Sequence, residues 1–439
     1  MANKHLRLDS QFNTVCAFWT PDATDDVQTG TLTVDHSGIT FTTSATYSRQ
    51  APKGSSMLPL GSRTAARFPV LHGVTGDGIC TLCQLVECDQ PGLMDFKTGN
   101  FISATSYRAM VSTMGIHIGG MDDKCLDSAR YTFSGLNEWL PNAVTELWER
   151  DQIVLKLPLN ERDLLAFGLR KKHIEISVKL IPTLTTSETD GGRLSKSVAF
   201  VEIRSAGTES LSWYLHVGNR LENLFSLLVG ESQAMETIFV YRGDTSGHLI
   251  QKRNSRAGRF NPLDCVPCTT SQIANSIAVW LCQPPEFRSV ENLALGIIRK
   301  GKLFAETELL SLAQALEGFH RVAELSAEVA VPRQRRRKTT FGTRLHELCD
   351  RLSRSLLTRM QIDPKSFVPT VVATRNFYTH TGSSTRVGGK ALPIEGTKLF
   401  LLNQKMRAFL RGVMLLDLAI PEGQLSELLI RDATRWTSA

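Results

Sequence analysis

Residues 373–382 read Ala-Thr-Arg-Asn-Phe-Tyr-Thr-His-Thr-Gly and bring a guanidinium, an amide and an imidazole together at the end of an apolar run. That run, Phe367, Val368, Val371 and Val372, repeats at one- and four-residue steps and reads as the buried face of a helix. Arg375 and Asn376 follow on that face in helical register. Asn376 and His380 lie four residues apart and can touch on one helix side. Arg375 and His380 are separated by about 140° of helix rotation, so they flank one edge. Gly382, Ser383 and Ser384 stop the helix. His380 therefore falls in its last turn, where the negative dipole end favours a protonated imidazole. An arginine for phosphate charge and a titratable histidine for proton transfer are a sensible minimum for cutting RNA without a metal. The same residues also suit an arginine that caps carbonyls and a histidine packed at a helix end. Spacing alone leaves both readings open.

The elements that must position this group lie in a chain of 439 residues, enough for two or three domains. Hydrophobic content of 42% and charged content of 21% are those of a globular protein. No uninterrupted apolar run of about 18 residues is present, so no membrane span is expected. The first ten residues lack a signal-peptide apolar core, and nine cysteines suit a reduced compartment, so a cytoplasmic protein is expected. Charge is unevenly placed. From Gly301 onward there are 21 Lys and Arg against 13 Asp and Glu, while the first 300 residues hold 29 against 30. The positive part thus accompanies the Arg–His motif, which is compatible with a polyanionic substrate.

The fold class expected is α+β. Residues 11–47 alternate as strands around a turn at Asp35–Gly38, and a polar loop follows at about 48–66. A second strand pair meets across Thr75–Gly78, and further strand-like runs lie near 110–118, 152–157, 173–181, 197–204 and 236–242. Helices are expected at Leu136–Leu147 and Tyr214–Leu228, with a helical connection at Ile273–Leu281 and Val290–Lys300. With no Gly/Ser linker in that connection, the two regions, 1–300 and 301–439, should pack together. From residue 303 onward, four helices are read at Leu303–Val329, Phe341–Met360, the motif segment and Gly396–Leu418. Each carries an apolar stripe, and short connections favour antiparallel neighbours.

Other candidate motifs are weaker. Cys80/Cys83 and Cys265/Cys268 form two Cys-x-x-Cys pairs, formally a four-thiolate zinc set. Cys80 and Cys83 sit in an alternating strand, however, where residues three apart point to opposite faces. Asp-rich stretches at Thr24–Asp26 and Met121–Lys124 read as turn formers. No metal site, cofactor or phosphate-binding Gly-rich loop is expected. Residues 331–340 contain five cations, among them Arg335, Arg336, Arg337 and Lys338. They suit either a grip on an RNA backbone or a solvated loop. Phe377 and Tyr378 are the aromatics best placed to stack on an unpaired base.

Arg375-Asn376-Phe377-Tyr378-Thr379-His380, in the third of four predicted helices, resembles the signature of HEPN ribonucleases: Arg, a polar residue, three variable residues, His. Glu308–Arg321 is similar to the first helix of ApeA-type HEPN domains. The N-terminal region resembles that of ApeA-like anti-phage proteins. It does so through Trp19 with Pro21, Gly30-Thr31-Leu32, Gly38-Ile39, His72-Gly73-Val74-Thr75 and Gly78, and Thr81-Leu82. Leu136 to Leu140 and Leu224 to Leu228 add to the match. The resemblance implies a β-rich sensing region followed by an all-α HEPN bundle. It further implies a metal-independent endoribonuclease of abortive infection, acting as a homodimer or higher homo-oligomer on RNA and released by a phage-derived trigger. Arg375, Asn376 and His380 would be its catalytic residues. Some HEPN domains serve instead as scaffolds or RNA binders, and the resemblance allows that reading as well.

Overall fold

A computed structural model describes residues 11–43, 67–88, 93–94, 101–102, 105–136, 139, 174–186, 193–251, 258, 261–268, 270–300, 303–327, 339–379 and 393–435. The expected loop at 48–66, the strand-like run at 152–157, most of the helix expected at Leu136–Leu147, the basic residues Arg335, Arg336, Arg337 and Lys338, and His380 lie outside these residues.

Among the described residues, the main sheet of the N-terminal half has 12 strands, part of which closes on itself. β1 (Phe12–Thr20), β2 (Ala23–Asp35), β3 (Gly38–Thr43), β4 (Arg67–Thr75) and β5 (Gly78–Cys88) pair antiparallel in the order β5-β4-β1-β2-β3. A two-stranded pair, β6 (Leu93–Met94) and β7 (Phe101–Ile102), stands apart. β8 (Thr105–Ala109) bridges β3 and the end of β5 and so completes a six-stranded barrel. Its core includes Phe18, Leu32, Phe41, Leu71, Leu82 and Tyr107. Gly73 lets β4 lie against Phe18, since a Cβ there would meet that ring at 2.3 Å.

β9 (Val111–Met114) carries the sheet out of the barrel by pairing with β5 through Cys80–Cys83. β5 changes partner from β9 to β8 beyond Gln84, a non-glycine residue at φ 54°. Side-chain parity slips by one there: Cys80, Leu82 and Leu85 all face the barrel core. Cys83 faces the other core. The alternation that argued against a shared zinc site thus places the two thiols on opposite faces, and burial pushes both up to about 12.

Beyond β9 the sheet continues through β14 (Thr245–Gln251), β13 (Met235–Arg242), β10 (Leu126–Phe133), β12 (Arg193–Glu209) and β11 (Ile174–Thr186). α1 (Leu211–Val229) packs on this open part, with Gly218 against Tyr131. Ser210 caps its start by accepting from Trp213 N, and Gly230 closes its end at φ 82°. Asp122, in the second Asp-rich stretch, accepts from Ser212 Oγ at 2.6 Å.

α2 (Thr270–Leu281) and α3 (Phe287–Lys300) lead into α4 (Ala305–Ala327), α5 (Phe341–Cys349), α6 (Arg354–Arg359), α7 (Pro364–Thr379), α8 (Gly396–Asp417) and α9 (Glu422–Thr434). One hydrophobic core runs without a break from the open sheet through α1 into these helices. No helix among the described residues is long and apolar enough to cross a membrane.

Three expectations change. The helix expected at Phe341–Met360 is two, because Ser353 adopts extended backbone and accepts from Leu356 N, starting α6 anew. All its apolar positions from Leu345 to Met360 are nonetheless buried. A last helix, α9, follows the one expected at Gly396–Leu418. Neighbouring helices are also not all antiparallel. Glu317 with Arg344 and His320 with Glu347 step the same way along α4 and α5. Ala305 with Asn403 and Glu308 with Arg407 do the same for α4 and α8. α7 runs against both α4 and α5.

Candidate active site at the end of α7

α7 starts on Asp363, whose carboxylate accepts from the backbone N–H of Lys365 and Ser366 ahead of a first-turn proline. Its buried face is Phe367, Val368, Val371 and Thr374. Thr374 Oγ donates to Thr370 O at 2.7 Å and accepts from Ile394 N at 3.2 Å, pinning the returning chain to the last turn. The face turns earlier than the sequence suggests. Thr374 takes the core position, Arg375 lies on the flank with 31% of its side chain exposed, and Asn376 faces solvent.

Three elements hold Arg375. Nη2 lies 3.8 Å from Glu317 Oε2 on α4, and Nη1 donates to Asn376 Oδ1 at 3.3 Å. The guanidinium carbon stands 5.6 Å from the centre of the Phe341 ring at the start of α5. Glu317 is a hub. Its Oε1 accepts from Arg321 Nη2 at 2.6 Å and from Arg344 Nη1 at 2.7 Å. Three guanidiniums therefore converge on one carboxylate, leaving an excess of two positive charges on the flank of α7. Arg344 also donates to Thr339 Oγ at 3.4 Å. Thr339 follows Lys338 in the sequence. His380 follows Thr379 directly, about 3.8 Å along the backbone. Asn376, spaced to reach His380, contacts Arg375 here.

Tyr378 turns partly into the core, its ring 5.1 Å from that of Phe377, edge to face. Burial, followed by the negative charges of Glu395 and Glu306, raises its phenol. Sequence reasoning does not assign Glu317, Arg344 or Phe341 to the site. The Glu317/Arg321 spacing is a legible i,i+4 ion pair, but nothing local to α4 says that α7 will end beside it. Among the described residues, no group of three or more His, Cys, Asp and Glu side chains is placed to hold a metal.

A family model for the ApeA N-terminal domain 1 matches residues 16–263, more than half of the chain. The chain belongs to the ApeA family. The Apea-like HEPN model matches residues 310–424, which include Glu317, Arg344, Arg375 and His380. Searches of curated proteins and of solved structures return no significant match. The architecture read from the sequence, a β-rich region followed by a HEPN helical bundle, is that of an ApeA-type protein.

Proposed function

We propose that this ApeA-type protein is a metal-independent endoribonuclease of anti-phage defence, with Arg375, Asn376 and His380 as its catalytic group. The observation that carries the reading is the placement of Arg375. It stands half-exposed at a helix end, within a cluster carrying two excess positive charges, a little over one helical turn ahead of His380 in the chain.

In this mechanism His380 removes the proton from the ribose 2′-OH. That oxygen attacks the adjacent phosphorus, and the bond to the 5′-oxygen breaks, leaving a 2′,3′-cyclic phosphate. Arg375 stabilises the charge that develops on the phosphoryl oxygens. One bundle offers one imidazole in the motif, so a second copy of the chain supplies the acid that protonates the leaving oxygen. Arg335, Arg336, Arg337 and Lys338 grip the RNA backbone. The region 1–300 senses a phage-derived trigger in the cytoplasm and restrains the bundle, 301–439, until then.

The test is RNA cleavage by the full chain with chelator present, compared with Arg375→Ala and His380→Ala. Each substitution should lower the rate by roughly 10²–10⁴-fold with the fold intact, and mixing inactive with active chains should depress activity. A second reading, a non-catalytic HEPN scaffold, is favoured by the Glu317 contact, which already gives Arg375 a partner. Wild-type cleavage by well-folded His380→Ala would replace the nuclease reading with that one.

A further inference from the structure

Resting on the nuclease reading, we infer that Glu317 is the positioning residue of the site and Arg344 a second phosphate-binding cation. Glu317 is one-fifth exposed on α4, and its two oxygens divide their work. Oε1 makes the close bonds, to Arg321 and Arg344. Oε2 holds Arg375 at 3.8 Å, beyond hydrogen-bond length. Arg375 is therefore aimed by charge and by the Phe341 face without being locked to the carboxylate. A phosphodiester arriving at Nη1 and Nη2 can recruit it with little to break. Arg344 is 13% exposed and shares the same carboxylate, which puts a second guanidinium beside the first. Arg344 spends Nη1 on Glu317 and Nη2 on Thr339 and its Nε is buried, so it adds positive charge beside the planar fork of Arg375, where an RNA phosphate would sit.

The charge count gives this assignment an unusual signature. Removing Glu317 raises the local excess from two to three positive charges, so RNA should bind more tightly. It also frees Arg375 from its orientation, so the chemical step should slow. Tighter ground-state binding with a slower reaction is the opposite of what general destabilisation produces.

The experiment measures kcat and KM with chelator for the wild type, Glu317→Gln and Glu317→Asp. RNA affinity is measured against salt for the same changes in a His380→Ala background. Glu427→Gln controls for loss of one acidic charge on a different helix pair, α6 with α9. Glu317→Gln should lose about 10–100-fold in kcat, the scale on which misplacement of a reacting group by about 1 Å acts. Its RNA binding should strengthen, with the salt slope steeper by roughly 0.7 for one more phosphate neutralised. Arg344→Ala should shift the slope the other way by a similar amount. Glu317→Asp keeps the charge and shortens the reach, so kcat should fall at unchanged affinity. This variant carries the test if Glu317→Gln does not fold. Wild-type kcat in a folded Glu317→Gln protein, higher kcat, or weaker RNA binding would overturn the inference while leaving the nuclease reading standing. A wild-type chain that does not cut RNA would overturn both.

Discussion

Replacing Arg411 by Ala should loosen the hold between the region matched by the ApeA N-terminal model and the HEPN bundle. Arg411 sits on α8 with 6% of its side chain exposed. It donates to Leu227 O at 3.0 Å, Leu228 O at 3.1 Å and Asp264 O at 2.8 Å. It also pairs with Asp432 at 2.7 Å. Leu227 and Leu228 are the end of α1, whose last carbonyls have no partner inside their own helix. One guanidinium thus caps a helix of the sheet region from within the bundle. Leu228 O keeps a second donor, Val266 N at 2.9 Å, so truncation strands Leu227 O and Asp264 O. Each buried acceptor left unmet costs about 1–3 kcal/mol. Asp432 is 20% exposed and rehydrates in part, which keeps the total near ~3–5 kcal/mol. Thermal and urea unfolding of the full chain should show a fall of roughly 5–10 °C, or two separated transitions.

Gly230→Ala sharpens the test. Its Cβ would lie 2.7 Å from Arg411 Nη1, at a φ of 82° that alanine disfavours. In an Arg411→Ala background the clash is gone and only the backbone penalty of about 1–2 kcal/mol remains, so the two substitutions should couple. Stability of Arg411→Ala within about 1 kcal/mol of wild type, or strict additivity with Gly230→Ala, would refute the clamp.

Changing Arg335, Arg336 and Arg337 to Ala should weaken RNA binding and flatten its dependence on salt, by roughly 0.7 in slope for each single-strand phosphate no longer neutralised; an unchanged slope returns the run to a solvated loop. His216 should make the protein acid-sensitive. Burial, then the nearby charges of Arg288 and Arg220, push its imidazole down to about 4. Arg288 Nη2 donates to Nε2 at 2.7 Å, which needs the neutral ring. An unfolded chain takes up this proton near pH 6.5, so between 6.5 and 4 it binds protons the folded chain refuses. Stability should therefore drop as pH falls through that window and recover above it. His216→Gln should flatten the difference in melting temperature between about pH 7 and about pH 5; an unaltered difference would assign the effect to other groups.

How far the sequence can be read follows from the reach of each interaction. The hairpins β2–β3 and β4–β5 are legible because their turns are local, and the apolar stripes of α4 and α8 because helical period is local. β10 is not. Its segment, Leu-Asp-Ser-Ala-Arg-Tyr-Thr-Phe, is a weak strand former held by β12 on one side and β13 on the other. The barrel is also invisible in the sequence, since its closure depends on β5 changing partner at Gln84. At the site, spacing alone picks out Arg375 and Asn376. Glu317, 58 positions earlier, joins them only because α4 and α7 run antiparallel in the bundle.

The same difference between local and distant contacts governs how a sensing region would reach the site. α1 lies on the open sheet and is tied to three helices through two buried arginines. Arg220 pairs with Glu291 of α3 at 3.3 Å and donates to the last carbonyls of α2, while Arg411 reaches into α1 from α8. α3 then packs on α4, where Val290 stands 2.9 Å from where a Cβ on Gly318 would be. Gly318 is the residue after Glu317. A contiguous line of packed groups therefore runs from the sheet to the Glu317 carboxylate beside Arg375. Contact by itself carries no coupling energy; coupling requires an element with two arrangements that both ends bias. α3 touches α4 at Gly318, where Val290 packs against a residue with no side chain. Any displacement of α3 by the sheet region must change the packing at Gly318, one residue from the hub of the site.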